Sequence, residues 1–221
     1  MILASLSFGS YANALTDDET DAKPNIYISD IPPWMEGEAG SCHKGIICDF
    51  FNRLLQYSSI EADFVYTSLS RANEKFYTGE QFVSLFPFDD SFKSKYHLIG
   101  EVFTYDVGLL TLDENREFDA TQDEVCITRN NPHKVDGYIY IEVNAYEQCF
   151  EMLERKRVKY MLVTNLEFEY HNADAHLRDK FSFQKIYSIP LWLYLNIEHD
   201  ENSSIFKEIM KSYEIVKQDY K

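Results

Sequence analysis

The chain has 221 residues, which suits one large domain or two small lobes. Its apolar fraction of 45% is ordinary for a globular protein, but 16 Tyr and 16 Phe leave aromatic side chains over for a binding cleft once a core is filled. Acidic residues outnumber basic ones by 37 to 21, a net charge of −16 that repels nucleic-acid backbones and anionic membrane surfaces and reads first as solubility.

Residues 1–14 carry no charged side chain and end in Ala12-Asn13-Ala14, an A-x-A cleavage pattern followed at once by a polar run from Leu15 to Asp21. They read as a signal peptide without its basic opening, with the mature chain starting near Leu15. An ordinary N-terminal strand is the plainer alternative. No later stretch approaches the ~18 uninterrupted apolar residues of a membrane span.

Asn25 to Ile28 reads as a strand that Pro32-Pro33-Trp34 stops, and Gly37, Gly40 and Ser41 mark a loop. Ile46, Ile47, Phe50, Phe51, Leu54 and Leu55 recur at helical spacing and predict a helix over 45–57. Glu61 to Tyr66 alternates as a strand, 69–78 is a helix ending at Gly79, and Phe82 to Phe86 is a short buried strand. Asp89 to Tyr96 is a loop or short helix, and Tyr105 to Leu112 is a strand. The second half repeats this grammar. Strands are expected at Glu124–Thr128, Tyr138–Ile141 and Val158–Val163, and helices at Tyr146–Arg155 and 165–178. Arg129 to Pro132 is a turn, Tyr187 to Ile197 a strand interrupted by Pro190, and Ser203 to Lys221 a helix with Ile205, Ile209, Tyr213 and Val216 on one face. Strand–helix alternation in two blocks predicts an α/β fold with largely parallel sheets.

Cys42, Cys48, Cys126 and Cys149 are an even number, which in an exported chain favours disulfides. Of the three connectivities, Cys42–Cys48 and Cys126–Cys149 are expected, each inside one presumed lobe. A zinc site is the rival, set lower because no C-x-x-C pair occurs. Glu167 and His171 are four apart and could share a zinc ion, but two ligands are too few, and an exposed polar helix face is the simpler reading; His171 and His176, five apart, face different ways. The sequence carries no H-E-x-x-H, G-x-S-x-G, P-loop or G-x-G-x-x-G, so no cofactor is expected.

Ile31-Pro32-Pro33-Trp34 followed by Gly45-Ile46-Ile47-Cys48-Asp49-Phe50-Phe51 resembles the opening of the bacterial extracellular solute-binding proteins of family 3, the periplasmic polar-amino-acid class. Gly79-Glu80-Gln81-Phe82-Val83 is similar to that family's Gly-x-x-Asp strand, with Phe82 where the Asp is expected, and Asp89 to Lys95 and Val102 to Leu109 resemble its loop and its approach to the hinge. Leu153 to Tyr160 resembles a helix–strand unit of the second lobe through Leu153, Arg157 and Val158. The resemblance implies a type II periplasmic-binding-protein-like fold, two α/β lobes joined by a two-strand hinge. Lobe 1 would hold 24–106 plus 193–221, and lobe 2 would hold 107–192.

Such a protein works as a hinged clamp that is favoured shut when ligand contacts both lobes. It implies a small-molecule ligand, a periplasmic or secreted location, an inner-membrane permease or sensor as partner, and a monomer. In this family an Arg forks onto the ligand carboxylate and an Asp takes its ammonium. By spacing these positions fall on Lys93 and Asn165, with Phe86 and Phe88 where small hydroxyl residues are usual, which points to a more aromatic ligand or a reduced pocket. The remaining candidates are Trp34, as a stacking wall or a rim aromatic; Asp90, for a cation or in a solvated turn beside Asp89; and Arg129, after a second-lobe strand, as a substitute carboxylate fork. Asn165 otherwise caps a helix. An enzyme of the dehydratase type on the same scaffold, with Glu36 or Asp90 as general acid, and a sensory module that has lost its ligand are the competing readings.

Overall fold

The computed structural model describes residues 23–112, 123–129, 131–171 and 180–220. The expected leader and its cleavage pattern lie outside the described residues, as do Asn130, His176 and the end of the helix expected over 165–178.

Strands β1 (Asn25–Ile28) and β4 (Asp63–Tyr66) pair in parallel around helix α1 (Ile46–Tyr57), which buries Ile47, Cys48, Phe50, Phe51 and Leu54. The glycine-marked loop proves to be a hairpin, β2 (Glu36–Glu38) and β3 (Ser41–Lys44). This hairpin folds Cys42 back onto α1, where it bonds Cys48 across a Cα separation of 5.1 Å. Helix α2 (Leu69–Thr78) starts where Ser68 accepts from the Arg71 N–H and stops at Gly79, whose φ of 84° is the left-handed conformation that glycine adopts without steric cost.

The main sheet has six strands in the order β5-β10-β6-β9-β7-β8. They are β5 (Val83–Pro87), β6 (Tyr96–Leu112), β7 (Glu124–Thr128), β8 (Ile139–Val143), β9 (Tyr160–Thr164) and β10 (Phe181–Asn196). The expectation of largely parallel sheets is corrected. Only β7 runs parallel to its neighbours β8 and β9, while β10 is antiparallel to β5 and β6, and β6 to β9. The strands expected to begin at Tyr105 and Tyr187 are also longer than their apolar cores. They pair from Phe181↔Leu112 to Asn196↔Tyr96, because ladder bonding continues through residues with no hydrophobic alternation.

Pro190 does not interrupt β10. Its carbonyl accepts from the Phe88 N–H on the β5 side, so its missing N–H faces that same side, where β5 has ended at Pro87. The ladder to β6 therefore loses no bond.

β5 flanks only the Leu191–Leu195 end of β10, and β9 flanks only Val107–Leu110 of β6. The long pair thus carries the chain in both directions between two halves of the molecule. One face of the second half is closed by helix α3 (Tyr146–Glu154), which packs Cys149 and Leu153 against Cys126, Met161 and Val163. Cys126 and Cys149 are bonded there, with a Cα separation of 5.6 Å. Helix α5 (Ser204–Val216) returns to the first half and packs on α1 with Ile209, Tyr213 and Val216 buried. No helix among the described residues is long and apolar enough to cross a membrane.

The two bridges differ in loop length, with sequence separations of 23 for Cys126–Cys149 and 6 for Cys42–Cys48. Removing Cys126–Cys149 by a double Ala substitution is expected to cost about 3 kcal/mol, and removing the shorter bridge somewhat less. Guanidinium denaturation of each variant measures the order, and equal losses would contradict loop closure as the source.

Candidate functional site

A cavity of about 870 Å³ opens between the two halves. The first half contributes Tyr27 on β1, Trp34 in the β1–β2 loop, Phe76 and Tyr77 on α2, and Ser84 and Phe86 on β5. The second half contributes Thr128 and Arg129 at the end of β7, His133, Tyr146 at the start of α3, and Glu167 and His171 on helix α4 (Asn165–His171).

The position of Trp34 follows from the start of α1. Gly45 has φ 103°, and a Cβ there would come within 2.6 Å of the Trp34 carbonyl oxygen. That close approach lets the Pro33 and Trp34 carbonyls accept the Ile46 and Ile47 N–H groups, which satisfies the first turn of the helix and holds the indole beside Tyr105, ring centres 4.7 Å apart. Phe86 is held from behind. It stacks on Phe76 at 4.3 Å, and Phe76 stacks in turn on buried Tyr96 at 4.8 Å, so the aromatic wall is continuous with a core cluster.

Glu167, only 6% exposed, is the buried charge of the site. Thr164-Asn165-Leu166-Glu167 forms a capping box. Glu167 N–H donates to Thr164 Oγ1 at 3.2 Å, and Glu167 Oε2 accepts from Thr164 N–H at 2.9 Å. Oε2 also accepts the Thr164 hydroxyl at 2.8 Å, while Oε1 accepts the Tyr146 hydroxyl and the Trp34 indole N–H, the latter at 3.4 Å. Burial and the negative Glu167 push the Tyr105 and Tyr146 phenols well above the ordinary tyrosine value, so both stay protonated donors. Burial lowers His133 below 6.5, against the opposing pull of Glu167.

The structure distributes the sequence candidates unevenly. Trp34, Phe86 and Arg129 line the cavity. Phe88 lies outside it, 44% exposed and packed on Trp192 at 4.9 Å, because Pro87 ends the strand that would have kept both phenylalanines in register. Asp90 and Lys93 pair with each other at 2.7 Å on the surface of a 3-10 turn (Asp90–Ser94), away from the cavity. Asp89 caps that turn by accepting from the Ser91 N–H. Asn165 turns to β6, where its Oδ1 accepts from the Asp106 N–H at 2.9 Å; the cap it was expected to supply comes from Thr164.

The exposed polar face expected for α4 is corrected as well: Glu167 is buried and His171 sits against Tyr146, ring centres 5.0 Å apart. No group of three or more metal-ligating side chains occurs among the described residues. Glu36, a candidate acid, is not on the cavity lining; it bonds Lys44 at 2.6 Å and accepts from the Tyr170 hydroxyl at 3.3 Å, and the Lys44 bond holds its carboxyl below the usual range, the wrong direction for a general acid. Sequence reasoning missed Tyr105, His133, Tyr146 and the role of Glu167. For Glu167 a signal was present, the T-x-x-E pattern directly after a buried strand.

A mixed sheet of this order, crossed by two long antiparallel strands and cleft between its halves, is the type II periplasmic-binding-protein-like, or Venus-flytrap, fold. No protein-family model matches the sequence, and no curated protein matches it. Solved structures do. The GluR0 ligand-binding core in complex with L-glutamate superposes with a TM-score of 0.67 at 16% identity, covering 90% of this chain and 94% of that one. A double mutant of the VFT2 domain of Bordetella pertussis BvgS gives 0.60 at 11% identity, covering 90% and 93%. The substrate-binding protein of an amino acid ABC transporter gives 0.58 at 10% identity, covering 88% and 94%. At these identities the likeness establishes the fold.

Replacing Glu167 by Gln keeps one acceptor oxygen and turns the other into an NH2 donor, so it strands either the Thr164 donors or those of Tyr146 and Trp34, and is expected to cost about 2 kcal/mol or more in urea denaturation. A loss below about 0.5 kcal/mol would show that the buried network contributes little. A second expectation concerns pH. His133 and, for the same reason of burial, His199 have folded values below the unfolded one. The unfolded chain then binds more protons, so stability is complete above about 6.5 and falls as pH drops through that point. His133→Asn should flatten the decline between pH 7 and 5 in thermal melts; an unchanged slope would assign it elsewhere.

Proposed function

We propose that the protein is a periplasmic solute-binding protein that captures a small polar or aromatic, amino-acid-like molecule between its halves and passes it to an ABC-type permease. The observation that carries this reading is the cavity of about 870 Å³ whose wall is shared by the two halves. Its size falls within the roughly 300–1,000 Å³ of small-molecule sites, and it pairs an aromatic lining with a few polar groups, as such sites do.

A ligand touching both walls favours the closed arrangement by its extra contacts, and β6 and β10 are the hinge that lets the halves separate. The working lobes are then 24–106 with 193–221, and 107–192. Two disulfides fit an oxidising compartment such as the periplasm. The fold likeness to a GluR0 core complexed with L-glutamate, and to the substrate-binding protein of an amino acid ABC transporter, supports an amino-acid-like ligand.

Acid catalysis on this scaffold is less well supported. Among the described residues the one buried acid of the cavity, Glu167, has its lone pairs turned to protein donors rather than to a substrate proton.

Trp34 lines the cavity, whereas Trp192 packs outside it on Phe88. Binding should therefore change the fluorescence of the wild type and of Trp192→Phe but not of Trp34→Phe. A ligand present at 100 times its Kd should add about 2.7 kcal/mol of stability. A broad metabolite screen in which nothing raises the melting temperature would rule the reading out.

A further inference from the structure

The binding-protein reading leaves open which end of a ligand the cavity recognises, and the surroundings of Glu167 bear on that. An ionised carboxylate offers about four lone-pair sites. Here each already meets a donor of the protein: Thr164 N–H and Thr164 hydroxyl on Oε2, and the Tyr146 hydroxyl and Trp34 indole N–H on Oε1. These donors come from the β1–β2 loop, the end of β9 and the start of α3, so the carboxylate ties together three segments of the wall.

The other full charge on the lining among the described residues is Arg129, which stands just after β7 in no direct ion pair there, and whose charge adds to the Lys134 hydrogen bond in holding the Glu142 carboxyl low. Glu142, beside it, is engaged by Lys134 at 2.5 Å. Glu36 is similarly committed, to Lys44 and Tyr170. Among the described residues the cavity therefore presents one cation in no direct ion pair, aromatic walls at Trp34 and Phe86, and no free carboxylate.

We propose that the cavity selects aromatic carboxylates that carry no ammonium group. The ligand carboxylate is received by the planar fork of Arg129, and the ring lies between Trp34 and Phe86. Glu167 is a positioning residue that holds Trp34 and Tyr146 in place rather than a ligand contact. An α-ammonium brought into this cavity leaves water and meets no free carboxylate among the described lining residues, only neutral acceptors, a cost to a charged group that amounts to about tenfold or more in affinity. This inference rests on the binding-protein reading and narrows its ligand class.

The test is calorimetric titration of the full chain with 3-phenylpropionate, L-phenylalanine and 2-phenylethylamine, which share the ring and differ in the charged groups. The expected result is that 3-phenylpropionate binds at least about tenfold tighter than L-phenylalanine and that the amine does not bind. Arg129→Met should weaken 3-phenylpropionate by about tenfold or more. Trp34→Phe removes the longest of the four donors to Glu167 and should narrow the gap between the acid and the amino acid. Equal affinities, or a preference for L-phenylalanine, overturn the inference while leaving the binding protein intact. If none of the three binds, a metabolite screen decides: hits bearing a free ammonium overturn it, hits without one support it, and no hits at all remove both this inference and the reading beneath it.

Discussion

A carboxylate enclosed by aromatic side chains is costly unless the protein supplies hydrogen-bond donors, and Glu167 sets that requirement at the centre of this molecule. The donors reach it from sequence positions as distant as Trp34, 133 residues away. The network therefore constrains the β1–β2 loop, the end of β9, the start of α3 and α4 together. Any rearrangement of the walls changes how this one charge is satisfied.

The β6–β10 ladder makes that convergence possible. Its two strands run 17 and 16 residues and are flanked by different partners at their two ends. The offset leaves each half with a sheet and helices of its own and a gap between them. Because both strands are bonded along their length, the halves remain in register, while the few side contacts between them, such as Trp34 with Glu167 and Tyr170 with Glu36, are individually weak. A clamp needs that division, with rigid walls and a shared, lightly held seam.

Much of the architecture was legible in local pattern. The helices at Ile46–Tyr57 and Leu69–Thr78 follow from apolar spacing and from Gly79, and the two cystine pairs match the pairing expected from keeping each pair inside one lobe, one of three connectivities that the cysteine count allows. Strand direction was not legible, because alternation of strands and helices does not reveal that β6 and β10 are neighbours across 68 residues of chain, from Leu112 to Phe181 taken at 112↔181 in the register. The site was the least legible. Spacing placed Lys93 and Asn165 in binding roles, whereas Lys93 finds Asp90 one turn away and Asn165 finds a backbone N–H of β6, partners that local order alone does not announce.

By itself the amino-acid sequence determined the helices, the turns, an even set of cysteines and an excess of aromatic side chains, since these depend on residues within a few positions of one another or on composition. Only the tertiary structure decided which aromatics wall a cavity and which acid lies buried in it. Phe86 lines the cavity while Phe88, two positions on, lies outside it, and the T-x-x-E pattern marks Glu167 as part of a helix cap but not as a buried charge. Burial, and the donors that burial demands, are properties of the packed chain, so the chemistry of the site exists only once β6 and β10 have brought the halves together.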